Sequence, residues 1–94
     1  MYDRILKRIQ ERIRKSDYSI TQHAHREMFH DELTIVDVEY AILTGLIVEK
    51  QLDKMTGQPK YLLHGTTPWN DIEVVVTFGA NGRLDIITVF TIEE

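Results

Sequence analysis

Cysteine is absent from this 94-residue chain, which excludes disulfides, thiolate metal sites and a cysteine nucleophile, and suits a reducing compartment. No apolar run approaches the roughly 20 residues of a bilayer-spanning helix. The opening stretch MYDRILKRIQERIRK also lacks the apolar core of a signal peptide. A cytoplasmic protein with no membrane contact is expected. At this length folding hides only about 60–65% of the unfolded chain's surface, so the core is thin and a second domain has little room. Residues 1–94 are read as one domain, with a basic amphipathic helix over 1–17 and the main body over 18–94. There is no repeat and no low-complexity segment.

The net charge of −4 hides an asymmetry. Residues 1–18 carry Arg4, Lys7, Arg8, Arg12, Arg14 and Lys15 against Asp3, Glu11 and Asp17, whereas the rest of the chain is acidic. An acidic body discourages tight nucleic-acid binding by charge alone, so any RNA role must rest on a local patch.

From Tyr2 to Lys15 the residues Tyr2, Ile5, Leu6, Ile9 and Ile13 recur at helical spacing, with the cations on the other side. Arg4, Arg8, Arg12 and Lys15 form a stripe that is either a solvated back or a surface for phosphates or an acidic partner. Ser19 with Gln22 fits a capping box and Thr21 is the alternative cap, so a helix starts there. In that helix Ala24, Met28 and Phe29 or Leu33 are expected to face inward. Thr34 and Asp37 make a second capping box, opening a helix that Gly45 is placed to end in the left-handed conformation. The period then changes. Strands are expected over Leu46–Glu49, Lys60–Gly65, Ile72–Phe78 and Leu84–Ile92, with a hairpin turn at Ala80-Asn81-Gly82-Arg83. The expected fold is α+β, N-terminal helices packed on a C-terminal antiparallel four-stranded meander.

The densest cluster of functional side chains is HAHREMFH, residues 23–30, with three of the four histidines. His23, Glu27 and His30 stand at i, i+4 and i+7, a spacing that lets three ligands reach one zinc or iron ion. No fourth protein ligand is identifiable, so a metal-free protein without cofactors is expected. His23 and Glu27, one turn apart, also suit acid–base work, because imidazole exchanges protons near neutrality. RNA cleavage through the 2′-hydroxyl needs such a pair together with cations at the phosphate, which Arg26, Lys60 and Arg83 can supply if the fold gathers them. The plainer alternative is a half-buried His23 that orients the first helical turn. Tyr61 and His64 fall on opposite strand faces, and Thr88 and Phe90 alternate with Ile87 and Val89, leaving one pair on an open sheet face. Trp69, in a loop with Pro68 and Asn70, is expected to fold back onto the sheet edge.

The ordered stretches YSITQHAHREM, TIVDVEYAILTGLIVE, KYLLHG and VVVTFGANGRLDIITVF resemble a family of small bacterial proteins of undefined function. That family is similar to an outlying branch of the RelE/ParE-like toxin superfamily, and its members often neighbour a zinc-finger antitoxin of the YgiT/MqsA type. The shared pattern falls on His23, Ala24, Met28, Asp37, Val38, Gly45, Gly65 and Ile87-Thr88-Val89. Two positions depart from it: Glu27 stands where many relatives carry arginine, and Phe90 where many carry tyrosine. The resemblance implies the toxin of a toxin–antitoxin pair, acting as a metal-independent mRNA endoribonuclease and held by a cognate zinc-finger antitoxin. Taken with the acid–base reading of the helix spacing, which is where Glu27 comes from, the expected catalytic residues are His23 and Glu27, and the expected substrate-binding ones Arg26, Lys60, Tyr61, Arg83 and Thr88. The alternative is a non-enzymatic protein-binding module.

Overall fold

The computed structural model describes residues 2–92. Helix α1 (Asp3–Arg14) is followed by strand β1 (Tyr18–Ile20), helices α2 (Gln22–His30) and α3 (Ile35–Thr44), and strands β2 (Leu46–Leu52), β3 (Pro59–Thr66), β4 (Asp71–Phe78) and β5 (Leu84–Thr91). The class is α+β as expected, but the sheet has five strands and is mixed. Its order is β1-β5-β4-β3-β2, with β1 parallel to β5 and the other neighbours antiparallel. The addition is β1, three residues read from the sequence as the approach to a helix cap. So short a strand has no measurable period, and its partner lies 66 positions away in the pairing of Tyr18 with Leu84.

The α1 stripe behaves as its spacing requires: Ile9 and Ile13 are fully buried and Ile5 and Leu6 pack against the same core. Each buried isoleucine contributes roughly 1.5–3 kcal/mol. Helices α1 and α2 end in the same way. Ser16 and Glu32 take positive φ values of 55° and 57°, and each donates to the carbonyl three residues back while the next residue bonds the carbonyl five back. Leu33, the residue after Glu32, thereby packs inward beside Met28. Phe29 instead faces solvent.

Thr34 and Asp37 form the expected capping box of α3. Gly45 is a correction: its φ is −92°, so it is not a left-handed stop. What demands glycine is proximity, because a Cβ there would lie 2.5 Å from the carbonyl oxygens of Ala41 and His64. At Gly65 a Cβ would run into the Ala41 backbone itself. The helix α3 therefore rests on β3 at backbone contact, a fit only two hydrogens wide. The last carbonyls of α3 lack a helical partner, and Gln10 of α1 donates to two of them, Ile42 and Leu43, at 3.2 Å each.

The helices cover one sheet face, where Leu63, Ile72, Val74, Val76, Leu84, Ile86 and Val89 are buried with Val38 and Ile42. A register shift between Val75 and Val76 lets both Ile86 and Val89 point inward despite their odd spacing. On the other face Leu62, His64, Glu73, Val75, Thr88 and Phe90 are half-buried. Tyr61 and His64 do fall on opposite faces.

Candidate functional site

Helix α2 lies along the outer edge of β5, and its polar side chains continue where β1 stops. Thr21 caps the helix through the bond from the Ala24 N–H at 3.1 Å and donates its own hydroxyl to the Ile87 carbonyl at 3.0 Å. Glu27 Oε1 accepts the Val89 N–H at 3.1 Å, and Asp31 Oδ2 accepts the Thr91 N–H at 3.1 Å. These contacts meet β5 at residues 87, 89 and 91, the alternate positions whose backbone faces outward along one edge. Carboxylates on a helix thus stand in for the carbonyls of a missing strand. The His30 ring, 3.1 Å from Asp31 Oδ1, and then the Thr91 amide hold the Asp31 carboxyl below its ordinary value.

His23 Nε2 sits 3.2 Å from Glu27 Oε1, with side-chain exposures of 65% and 28%. The two residues expected to carry catalysis are therefore in contact, but the same carboxylate oxygen also holds the Val89 amide. Thr88 lies beside this point, on the half-buried face opposite Val75. Arg26 is exposed on α2. The remaining expected substrate contacts lie elsewhere. Lys60 pairs with Asp53 at 3.6 Å. Arg83 donates to the Tyr18 carbonyl at 3.2 Å and lies 3.8 Å from Asp17, beside the β4–β5 hairpin. Tyr61 is buried in the core, on the helix-covered face. His23 and Glu27 are brought together, with Thr88 next in the strand to the Val89 amide that Glu27 holds, whereas Lys60, Arg83 and Tyr61 do not join them. His23, Glu27 and His30 do not converge either, since His30 turns to Asp31; among the described residues no group of three or more such side chains is arranged to hold a metal.

The basic stripe of α1 is largely engaged. Arg12 pairs with Asp17 at 2.8 Å, Lys15 with Glu11 at 2.7 Å, and the Arg8 guanidinium lies 4.4 Å above the Phe78 ring. Two other surfaces are more open. The strand β2 ends the sheet, with Leu46, Val48 and Leu52 exposed along it and Met55 exposed in the loop that follows. Trp69, expected to fold back, is 84% exposed. The apolar run of β2 was a visible signal, but only topology makes it an edge.

The segment that builds this arrangement, from the last residue of β1 to the end of β5, coincides with a family match: residues 20–91 fit the model described as domain of unknown function, DUF4258. The chain belongs to the DUF4258 family. No curated protein and no solved structure matches it. The DUF4258 match covers α2, α3 and strands β2 to β5, so the α2 carboxylates and the β5 edge they cap lie inside the family segment, while α1 lies outside it. No helix among the described residues is long and apolar enough to cross a membrane.

Proposed function

We propose that this DUF4258 chain is a polypeptide-binding module whose partner adds an extended segment to the free edge of β2. The observation that carries the reading is the contrast between the two sheet edges. One is closed by β1 and by the Glu27 and Asp31 carboxylates; the other is a seven-residue strand with Leu46, Val48 and Leu52 exposed. Exposed, apolar edge strands are normally blunted, because their unpaired backbone groups recruit another strand. A second copy is a poor occupant. The symmetric antiparallel register that overlaps all of β2 sets Glu49 against its own copy, a like-charge contact. A heterologous strand with apolar residues opposite Leu46 and Leu52, a cation opposite Glu49 and an acid opposite Lys50 fits better. The resemblance to the RelE/ParE-like toxins supports a cognate zinc-finger antitoxin as that partner, with this chain as the toxin.

A second reading, metal-independent cleavage of mRNA, is favoured by one observation, the His23–Glu27 pair at 3.2 Å. Against it, the cations that would meet the phosphate are dispersed.

Co-production with the product of the adjoining reading frame tests both. The wild-type pair should co-purify, and Leu46→Lys with Leu52→Lys should abolish the complex while leaving the thermal midpoint of the chain unchanged. A complex that withstands the double variant overturns the binding reading. Growth arrest with degraded total RNA that His23→Ala removes would establish the ribonuclease instead.

A further inference from the structure

A groove of about 840 Å³ opens between the C-terminus of α2, the β3–β4 connection and the end of β5. No residue of β2 lines it. Its walls include Asp31, Glu32, Trp69 and Asp71, and the volume falls within the usual range for a ligand site. Trp69 presents its indole to solvent from a connection fixed by Thr67, whose hydroxyl oxygen accepts the Trp69 and Asn70 amides at 3.2 and 3.0 Å. The negative end of the α2 dipole faces the same space. Among the described residues Glu32 makes no ion pair and Asp71 pairs with His64 at 3.5 Å, while Asp31 is engaged on both oxygens, by His30 and by the Thr91 amide.

The two ends of the β4–β5 hairpin differ in their cations. Arg12 and Arg83 sit at the β4–β5 hairpin end, with Arg8 over Phe78 beside them. The groove occupies the opposite end, where the Ile92 amide donates to the Asp71 carbonyl; among the described residues its lining holds three carboxylates and no lysine or arginine.

We propose that this groove binds the guanidinium of an arginine in a basic segment of a partner. An exposed indole attracts a planar cation to its face, carboxylates receive a guanidinium through paired hydrogen bonds, and arginine combines both geometries where lysine offers only a point charge. Anions and apolar chains are excluded by the same carboxylates.

The test uses the sole tryptophan of the chain as its reporter, with terminally blocked hexa-arginine as the probe at pH 7.5 and low salt. Hexa-arginine should change Trp69 emission saturably, with an affinity that weakens as salt is added, while hexaglutamate leaves it unchanged and hexalysine binds more weakly. Glu32→Gln combined with Asp71→Asn should weaken hexa-arginine binding by about tenfold or more, since exposed side chains that hold no core contact are replaced by near isosteres. Amide shifts of the wild-type chain should map the peptide to residues 30–32 and 67–71, which keeps the test decisive if the double variant folds poorly. No saturable change at millimolar peptide, equal binding by hexaglutamate, undiminished binding by the folded variant, or shifts mapped to another surface would each overturn the assignment.

Discussion

Replacing Glu27 by alanine separates a structural carboxylate from a catalytic one. Its Oε1 accepts the Val89 N–H at 3.1 Å, and Val89 itself is fully buried, so the variant leaves a β5 amide without its partner. A hydrogen bond to a charged group contributes roughly 1.5–3 kcal/mol. Because the Glu27 side chain is 28% exposed, water can reach part of the vacated space, which places the expected loss at the low end, about 1.5–2 kcal/mol. For a domain of this size that corresponds to a fall of roughly 6–16 °C in Tm. Glu27→Gln keeps an acceptor and should lose less than half as much. His23→Ala removes only an exposed pair, worth about 0–1 kcal/mol, and should leave stability nearly unchanged. Urea unfolding gives the three values, and amide exchange locates the damage at Val89. If Glu27→Ala proves as stable as the wild type, the carboxylate does not hold the sheet edge and the reasoning fails.

Gly65→Ala should destabilise by about 3 kcal/mol or more, above the usual range for an overfilled core, because the new methyl meets the Ala41 backbone instead of a mobile side chain; urea midpoints measure this. The Tyr18 phenol, half-buried and donating to Glu39 at 2.5 Å, is pushed up from 10.0 to about 12, first by burial and then by Glu39. The native state therefore favours the protonated phenol: its stabilising share is fully present below pH 10 and is lost as pH rises toward 12, and ultraviolet titration of Tyr18→Phe against the wild type should show one high-pH phenol missing. Asp31 runs the other way. Its carboxyl is held below 3.8 by His30 and the Thr91 amide, so its contribution is present above that value and disappears as pH falls through the lower native value; Asp31→Asn should flatten the acid limb of a stability–pH curve.

The parts of the fold legible in the sequence were those written in local chemistry. The Thr34–Asp37 capping box, the apolar spacing of α1 and the Asn81-Gly82 turn, with Gly82 at φ 75°, each depend on neighbours a few positions apart. What escaped depends on partners far along the chain. Gly45 looked like a helix stop because glycine commonly is one, yet its small size serves β3 instead. The strand β1 is visible only beside β5. Glu27 and His23 were legible as a pair from their i, i+4 spacing, but that Glu27 also receives the Val89 amide, 62 positions away, is a fact of packing. Tyr61 looks available to a substrate from the sequence because strand alternation fixes which residues share a face without fixing which face is covered. Trp69 failed for the opposite reason: large aromatics usually bury themselves, and here the Thr67 hydroxyl fixes a turn that holds the indole out.

The central claim, that β2 is the edge a partner completes, is tested most directly by backbone amide exchange on the chain alone and in complex with the protein encoded beside it. Binding should slow exchange in residues 46–52, including amides that exchange freely in the isolated chain, with little change along β5. Protection that appears around His23, Glu27 and Thr88 while residues 46–52 exchange as before would contradict the claim and return the α2 edge to first place.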